Sequence, residues 1–461
     1  MLTGIWLILG LLIAIAIMIV MISKFKIHPF ISILLVSLIL AVLSLPLPDV
    51  PGTIAAGFGA TMQGIGIVII LGALIGFIVE KTGAALVIAE TVVKLVGKKK
   101  PELSMMIMGW IVSIPVFCDS GFIILDPIRK SLRRMAQKSA VGMALALSLG
   151  LYASHVFMPP TPGPIAAAAS VGLADNLLLV IGVGVIISVF ALIPSYFYSI
   201  YIGKKVKVSD DQEDALNPNL TQETFDVLKK KYGTLPNVFL SFAPIVVPII
   251  ALALGTFWKM LNVTFAAKFF AFIGAPIIAL SIGVIFGVIL LFNTKKINDF
   301  YALVNDNLKI VGPILFITAA GGVLGRVISA AGVVQFVTGN ADAFKFLGII
   351  FPFIIAAILK ISQGSSTVAI VTTAAMMGLY TDPASLMSAL GFTSAISAAL
   401  VVMAIGAGSM TVSHANDSYF WVVTNMTGMT PEQGYKVQTL GTLISGLGSL
   451  VGILVMSIFF L

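Results

Sequence analysis

The segment His155-Val156-Phe157-Met158-Pro159-Pro160-Thr161-Pro162-Gly163-Pro164 ends an apolar stretch that begins at Ala140. Four of its last six residues are prolines, and proline cannot donate an amide hydrogen to a helix. A helix that breaks inside a bilayer is tolerated only where protein or a water-filled cavity receives the freed backbone groups. The segment therefore predicts a discontinuous helix at membrane depth.

The composition around this segment is typical of an integral membrane protein. Of the 461 residues, 59% are hydrophobic and 10% are charged, whereas soluble domains are about 45–50% apolar and about 25% charged. The net charge of +8 comes from short basic runs between apolar stretches, which is the pattern of membrane topology. These values exclude a cytosolic enzyme, a disordered chain and a nucleic-acid-binding protein. The single cysteine, Cys118, excludes a disulfide framework and a multi-cysteine metal site.

Two further kinds of interruption occur in the apolar segments. Residues 103–125 have basic clusters on both sides, and a re-entrant hairpin with its tip at Cys118–Gly121 keeps both clusters on one side. Residues 346–377 contain a run of small and hydroxylated residues and predict a second hairpin. Residues 386–423 are interrupted near 413–417 and predict a second broken span. At roughly 20 residues per span, we expect an all-α integral membrane protein with about ten transmembrane helices and two re-entrant hairpins.

The long hydrophilic loop in the middle of the chain separates two halves, and we expect an inverted repeat. The predicted units are residues 1–203, a cytoplasmic linker at 204–235, and residues 236–461. Each half holds five spans and one hairpin, and an odd number of spans gives the halves opposite orientations. Three glycines in each half match at an offset of 249 residues: Gly72, Gly76 and Gly83 against Gly321, Gly325 and Gly332. Most basic residues lie inside when both termini are placed outside the cell membrane.

The predicted architecture indicates a transport function. Inverted repeats with discontinuous helices are the design of secondary transporters. Free amide groups at helix breaks and hairpin tips favour an anionic substrate, and small hydroxylated residues let a polyhydroxy ligand approach the backbone. The sequence contains no phosphate-binding loop of the G-x4-G-K-[ST] type, so coupling must come from an ion gradient. We therefore expect a transporter that is not an enzyme and uses no cofactor or metal.

Four ionisable residues at the breaks are candidates for proton coupling. Asp119 is an intramembrane acid, and such residues are functional candidates by default; the alternative is a structural carboxylate that accepts amide hydrogens. His155 and His414 each follow a serine at a broken span. Each could carry a proton or hold its helix open by a hydrogen bond. Asp417 could bind the substrate or a cation, or could cap the half-helix that follows it.

The candidate substrate ligands lie at the same breaks. Lys360 could neutralise a carboxylate or extend toward the interface, and we interpret Arg326 as structural. The second tip is rich in small and hydroxylated residues, which suit a substrate site but also allow close helix contacts. The predicted substrate-binding residues are Ser120, Gly121, Thr161, Lys360, Ser362, Gly364, Ser365, Ser366, Thr367 and Asn416.

Three segments together carry a family resemblance. Residues 155–164 match the pattern H-x-F-x-P-P-x-P-G-P, residues 358–369 resemble L-R-I-x-x-G-S-A-T-V-A, and residues 406–421 resemble G-x-G-S…S-H-x-N-D-x-x-F-W. These are motifs of the gluconate:proton symporter family, the GntP-type permeases. The resemblance implies import of sugar acids such as gluconate, or of D-serine in one branch, with proton symport. It also implies the ion-transporter superfamily fold, with a scaffold, a mobile transport domain of the elevator type and usually a homodimer in the lipid bilayer.

Three positions differ from the family pattern. The first hairpin reads Phe117-Cys118-Asp119-Ser120-Gly121 where the family often has an acidic Glu-Val-Gly stretch. Lys360 replaces the typical arginine of gluconate permeases, and Thr161 replaces a common histidine. Arginine offers a bidentate fork to a carboxylate, whereas lysine offers a point charge. We therefore keep three alternatives beside proton-coupled sugar-acid import: a permease for D-serine or a short hydroxy acid, a Na⁺-coupled transporter, and a passive anion facilitator.

Overall fold

The computed structural model describes residues 1–96, 100–208, 233–260, 266–332, 348–415 and 417–461. Within these ranges the chain is helical and contains no β-strand, which confirms the all-α prediction. The described part of the first half contains the helices α1 (Gly4–Ser23), α2 (Pro29–Ser44), α3 (Val50–Lys81), α4 (Ala84–Val96), α5 (Pro101–Val112), α6 (Cys118–Ala136), α7 (Ala140–Phe157), α8 (Pro162–Ser170) and α9 (Leu177–Lys205). That of the second half contains α10 (Val238–Met260), α11 (Ala267–Ile273), α12 (Pro276–Asn293), α13 (Phe300–Ala330), α14 (Ile350–Gln363), α15 (Ser366–Met377), α16 (Leu386–Ala389), α17 (Ala395–Met410), α18 (Ser418–Met426), α19 (Pro431–Gly434) and α20 (Leu440–Phe460).

The proline-rich segment breaks a helix as predicted. α7 ends at Phe157, and α8 begins at Pro162. Proline is favourable at the first position of a helix because its missing amide hydrogen would have no helical partner there. Every residue of α7 is buried, and so are residues 158–161 of the break. The freed backbone groups therefore lie inside the protein and not against lipid.

The first hairpin differs from the prediction in the position of its tip. The connection between α5 and α6 covers residues 113–117, and Cys118 begins α6. The expected tip at Cys118–Gly121 is therefore wrong, because these residues form the first turn of α6. Pro115 explains the earlier break, since proline cannot continue a helix and disfavours helical backbone in the residue before it. As a result, Asp119 lies at a helix N-terminus, where the helix dipole stabilises a carboxylate.

The helix lengths are those of a multi-span membrane protein. Among the described residues, seven segments are long and apolar enough to cross a membrane, or eight if the bent helix α3 is counted as one span. Five further apolar helices have only 10–17 residues; they are α2, α5, α14, α15 and α17. The expectation of about ten spans included α2 and the broken segment around α17. Both are present as helices, and the number of ten crossings stays a prediction.

The two longest helices, α3 and α13, have matching surroundings in the two halves. Each follows a single turn of 3₁₀ helix, at Leu47–Asp49 and at Ile297–Asp299. Each is followed by a glycine with a positive φ, 78° at Gly83 and 82° at Gly332. The two helices pack against each other. The boundaries of the repeats and their opposite orientations stay predictions, and residues 209–232 of the expected linker lie outside the described residues.

Two of the matched glycines touch the two hairpins directly. A Cβ atom on Gly76 would overlap the carbonyl oxygen of Pro115, in the connection of the first hairpin. A Cβ atom on Gly325 would overlap the carbonyl oxygen of Ala375, in the second arm of the other hairpin. α3 thus packs on the first hairpin and α13 on the second. Both positions need glycine because a neighbouring backbone occupies the space of a side chain.

We expect Gly76→Ala and Gly325→Ala each to destabilise the protein by about 1–3 kcal/mol, because the added methyl group overpacks a backbone contact. The control is Gly182→Ala on α9, where nothing lies within 4 Å of the added carbon. That exposed substitution should be neutral or slightly stabilising, because alanine favours helix more than glycine does. Unfolding in detergent, followed by tryptophan fluorescence, measures the difference. Equal stability of all three variants would contradict the proposed close approach.

Candidate substrate site

A buried ion pair joins the second hairpin to the break between α17 and α18. The Lys360 ammonium lies 2.6 Å from Oδ2 of Asp417, and it also donates to the carbonyl oxygen of Gly364 at 2.5 Å. Its Nζ atom lies 5.6 Å from the centre of the Tyr152 ring. The Lys360 side chain is fully buried. Of the two roles left open for Lys360, an extended side chain at the interface is therefore wrong.

The Asp417 carboxylate is held from three directions. Oδ2 accepts from the Ser413 hydroxyl at 2.5 Å as well as from Lys360. Oδ1 accepts from the backbone N–H of Tyr419 at 3.1 Å, so Asp417 is the N-cap of α18. The backbone of Ser413 is fixed in turn, because its N–H donates to the hydroxyl of Thr442. Asp417 therefore acts both as a helix cap and as the partner of a buried cation.

The tip of the second hairpin is built from short residues in specific backbone roles. Gly364 ends α14 with a φ of 88°, a value that favours glycine. Ser365 caps α15 by accepting from the N–H of Val368, and the Ser366 hydroxyl is hydrogen-bonded to the Tyr152 hydroxyl. Thr367 is half-buried. The other two expected ligands on this side, the Ser362 side chain and Asn416, lie outside the described residues.

The first hairpin meets the same break one residue further along. The Ser418 hydroxyl donates to Oδ1 of Asp119 at 3.2 Å. Ser120 lies beside the side chain of Glu80, near the end of α3. Gly121 packs against Leu151, where a Cβ atom would overlap the leucine side chain. The adjacent residues 417 and 418 thus contact one hairpin each.

The two histidines and Thr161 occupy the edges of the two helix breaks. His155 is buried near the Phe117 ring, with the ring centres 5.8 Å apart, and its Nδ1 atom has no partner within the described part of the chain. The Thr161 hydroxyl lies 2.5 Å from the carbonyl oxygen of Met158 and closes the proline-rich loop. Nε2 of His414 lies 3.0 Å from the carbonyl oxygen of Ile361. These contacts fit structural roles, and substrate or proton binding by these residues stays a prediction.

Several site residues were not identified from the sequence. Tyr152 covers Lys360, Ser418 binds Asp119, and Glu80 lies beside Ser120. Ser418 directly follows Asp417 at a break, so its position offered a signal, whereas Tyr152 lies inside an ordinary apolar helix. Arg326 is not part of these contacts. It is exposed and lines a separate cavity of about 520 Å³, between α3, α13 and the ends of α8 and α15.

Comparison with known proteins places the chain in a protein family. Residues 6–459 match the description "GntP family permease". The chain belongs to the GntP permease family. A gluconate permease of Pseudomonas aeruginosa is 29% identical over 98% of both chains. The Gnt-II system L-idonate transporter of Escherichia coli is 27% identical, over 95% of this chain and 96% of that protein.

A solved structure shares the fold of this GntP permease. The YdaH transporter of Alcanivorax borkumensis, whose crystal structure reveals an unusual topology, has a TM-score of 0.57 with this chain. The match covers 93% of this chain and 97% of that one at 14% identity, so it shows the fold alone. Family membership and the apolar helices together confirm a multi-pass membrane transporter that is not an enzyme.

We expect Lys360→Met and Asp417→Asn each to destabilise the GntP permease by about 3–5 kcal/mol, because removal of one partner leaves an unpaired or unsatisfied group in the interior. The double variant Lys360→Met/Asp417→Asn should be more stable than either single variant. Unfolding with dodecyl sulfate in mixed micelles measures all three. Additive losses in the double variant would show that the two side chains do not interact.

Proposed function

We propose that this GntP permease imports gluconate or a related sugar acid across the cell membrane by proton symport. The observation that carries the proposal is the meeting of three helix N-termini and one buried lysine. α6, α15 and α18 begin at this point and are connected through the contacts of Asp119, Ser418, Tyr152 and Lys360. Helix N-termini and an ammonium group both favour a carboxylate.

The substrate carboxylate is proposed to bind near Lys360, and its hydroxyl groups near the hydroxylated residues of both tips. Ser120, Ser365 and Thr367 are half-buried, and Ser418 is exposed, so a ligand can approach these residues. Hydroxyl groups can both donate and accept hydrogen bonds, which suits a polyol chain. The names of the relatives support this class of substrate, because gluconate and L-idonate are both sugar acids.

Asp119 is the proposed proton carrier. Asp417 is paired with Lys360, whereas in the described part of the chain Asp119 forms no ion pair and accepts side-chain hydrogen bonds from Cys118 and Ser418. A carboxylate without an ion-pair partner at membrane depth is a candidate for proton transfer, because intramembrane acids mark proton pathways. His155 and His414 are proposed as secondary members of the proton path.

The alternating-access part of the proposal is an elevator movement of the hairpins and broken helices against a scaffold. It includes the inverted repeats 1–203 and 236–461, both termini outside, and a homodimer. The matched contacts of Gly76 and Gly325 with the two hairpins support a repeat. The lipid-facing helices α1, α9 and α20 expose many apolar side chains, as outer helices of a scaffold would.

We expect Asp119→Asn to abolish the accumulation of labelled gluconate that an acid-outside gradient drives in proteoliposomes, because the amide cannot carry a proton. Exchange of gluconate between the two sides should persist in this variant, since exchange needs no net proton movement. The matched control is Asp306→Asn, which removes an exposed carboxylate paired with Lys309 and should leave accumulation unchanged.

Three outcomes of this assay would contradict parts of the proposal. Wild-type coupling in Asp119→Asn would remove this residue from the proton path. Uptake that stops when choline replaces Na⁺, and that ignores the proton gradient, would make the transporter Na⁺-coupled. Equilibration without any gradient requirement or counterflow would make it a facilitator.

A further inference from the structure

The ammonium group of Lys360 is fully buried, and two of its three N–H donors are taken by oxygen atoms of the protein. A lysine has three N–H donors. Two oxygen atoms, of Asp417 and Gly364, take close positions around Nζ, and the face of the Tyr152 ring covers a further side. The side chain of Lys360 has no exposed surface. A substrate carboxylate can therefore reach this ammonium only by replacing one of its present partners.

Asp417 is the partner that can be replaced. The Gly364 carbonyl belongs to the same hairpin as Lys360, four residues along the chain, and moves with it. Tyr152 is bonded to Ser366 of that hairpin. Asp417 belongs to a different element, the break before α18. Separation of Lys360 from Asp417 thus divides two elements, whereas the other contacts stay within the group around the hairpin tip.

Asp417 keeps stabilising partners when Lys360 leaves. The Ser413 hydroxyl and the Tyr419 N–H both donate to its carboxylate. It also lies at the N-terminus of α18, where the helix dipole favours a negative charge. Lys360 does not keep comparable partners when Asp417 leaves, because the Gly364 carbonyl alone does not neutralise an ammonium group. The asymmetry means that Lys360 depends on a carboxylate more strongly than Asp417 depends on a lysine.

We propose that Asp417 is an internal substitute for the carboxylate of the substrate. In the substrate-free protein it occupies Lys360 and ties the second hairpin to the α17–α18 break. A substrate carboxylate displaces it and removes this ion pair between the hairpin and the break, which the contact of His414 with Ile361 also joins. This inference rests on the proposed function, because it assigns the substrate an anionic group. A neutral polyol of the same shape cannot replace the Asp417 carboxylate beside Lys360, so this site also selects for acids.

The first test compares gluconate binding to the full-length wild type and to Asp417→Asn, in detergent, by calorimetry. The asparagine keeps the size of the side chain and an oxygen for the N–H of Tyr419, but it carries no charge to compete for Lys360. We expect gluconate to bind about tenfold more tightly to this variant, because a competing charge pair has been removed. Glucitol, the uncharged analogue, should bind no more tightly to the variant than to the wild type.

The second test is independent of the identity of the sugar acid. Asp417→Ala leaves space for a small carboxylate beside Lys360. Formate should raise the thermal midpoint of this variant by several degrees over chloride at equal ionic strength. It should have no such effect on the wild type or on Lys360→Met/Asp417→Ala. Formate rescue without gluconate binding to the wild type would support the exchange and contradict only the proposed substrate.

A third measurement keeps the ion pair intact, so it does not depend on the folding of the Asp417 variants. Spin labels at Leu379→Cys, beyond the second hairpin, and Asn425→Cys, on α18, report the distance between the two elements in a Cys118→Ala background. Both positions are exposed. Gluconate should shift this distance, and glucitol should not. The proposal is wrong if formate has no effect on Asp417→Ala. It is also wrong if gluconate binds the wild type but binds Asp417→Asn no more tightly, or binds without a change of distance.

Discussion

The pair of Lys360 and Asp417 is the constraint on which the organisation of the site depends. An ammonium group with no exposed surface is tolerated at membrane depth only when it is paired and hydrogen-bonded. The pairing requires the tip of the second hairpin to lie at the break between α17 and α18. The break is needed for the same reason, because Asp417 can cap a helix only where a helix begins. The buried charge of Lys360 and the interruption before α18 therefore depend on the same residue, Asp417.

The backbone constraints complement this electrostatic one. The two hairpins reach the interior because α3 and α13 carry glycines where a hairpin backbone approaches, at Gly76 and Gly325. Prolines determine where two helices end, since Pro115 ends α5 and the prolines after α7 end that helix. Small residues thus set how closely the helices approach, and prolines set where α5 and α7 end.

The sequence predicts those features that have local causes. The proline-rich break, the glycine at the second tip and the acids Asp119 and Asp417 can be located without knowledge of contacts, because each depends on the chemistry of adjacent residues. The contact of Ser418 with Asp119 joins residues 299 positions apart, and the position of Tyr152 over Lys360 depends on the packing of α7. No local pattern contains this information. Polar character predicts the tip of the first hairpin at Cys118–Gly121, whereas Pro115 ends the helix earlier and places the connection at residues 113–117.

Lysine at position 360 has fewer N–H donors than the arginine of the family motif. The gluconate permeases that the hairpin motif resembles typically have arginine here. An arginine presents five N–H donors in a planar fork, so it could hold an internal carboxylate and a substrate carboxylate together. Lysine presents three donors, and here Asp417 and Gly364 take two of them while the Tyr152 ring covers a further side. Since the lysine side chain has no exposed surface, the proposed binding of an acid and the release of Asp417 are the same event.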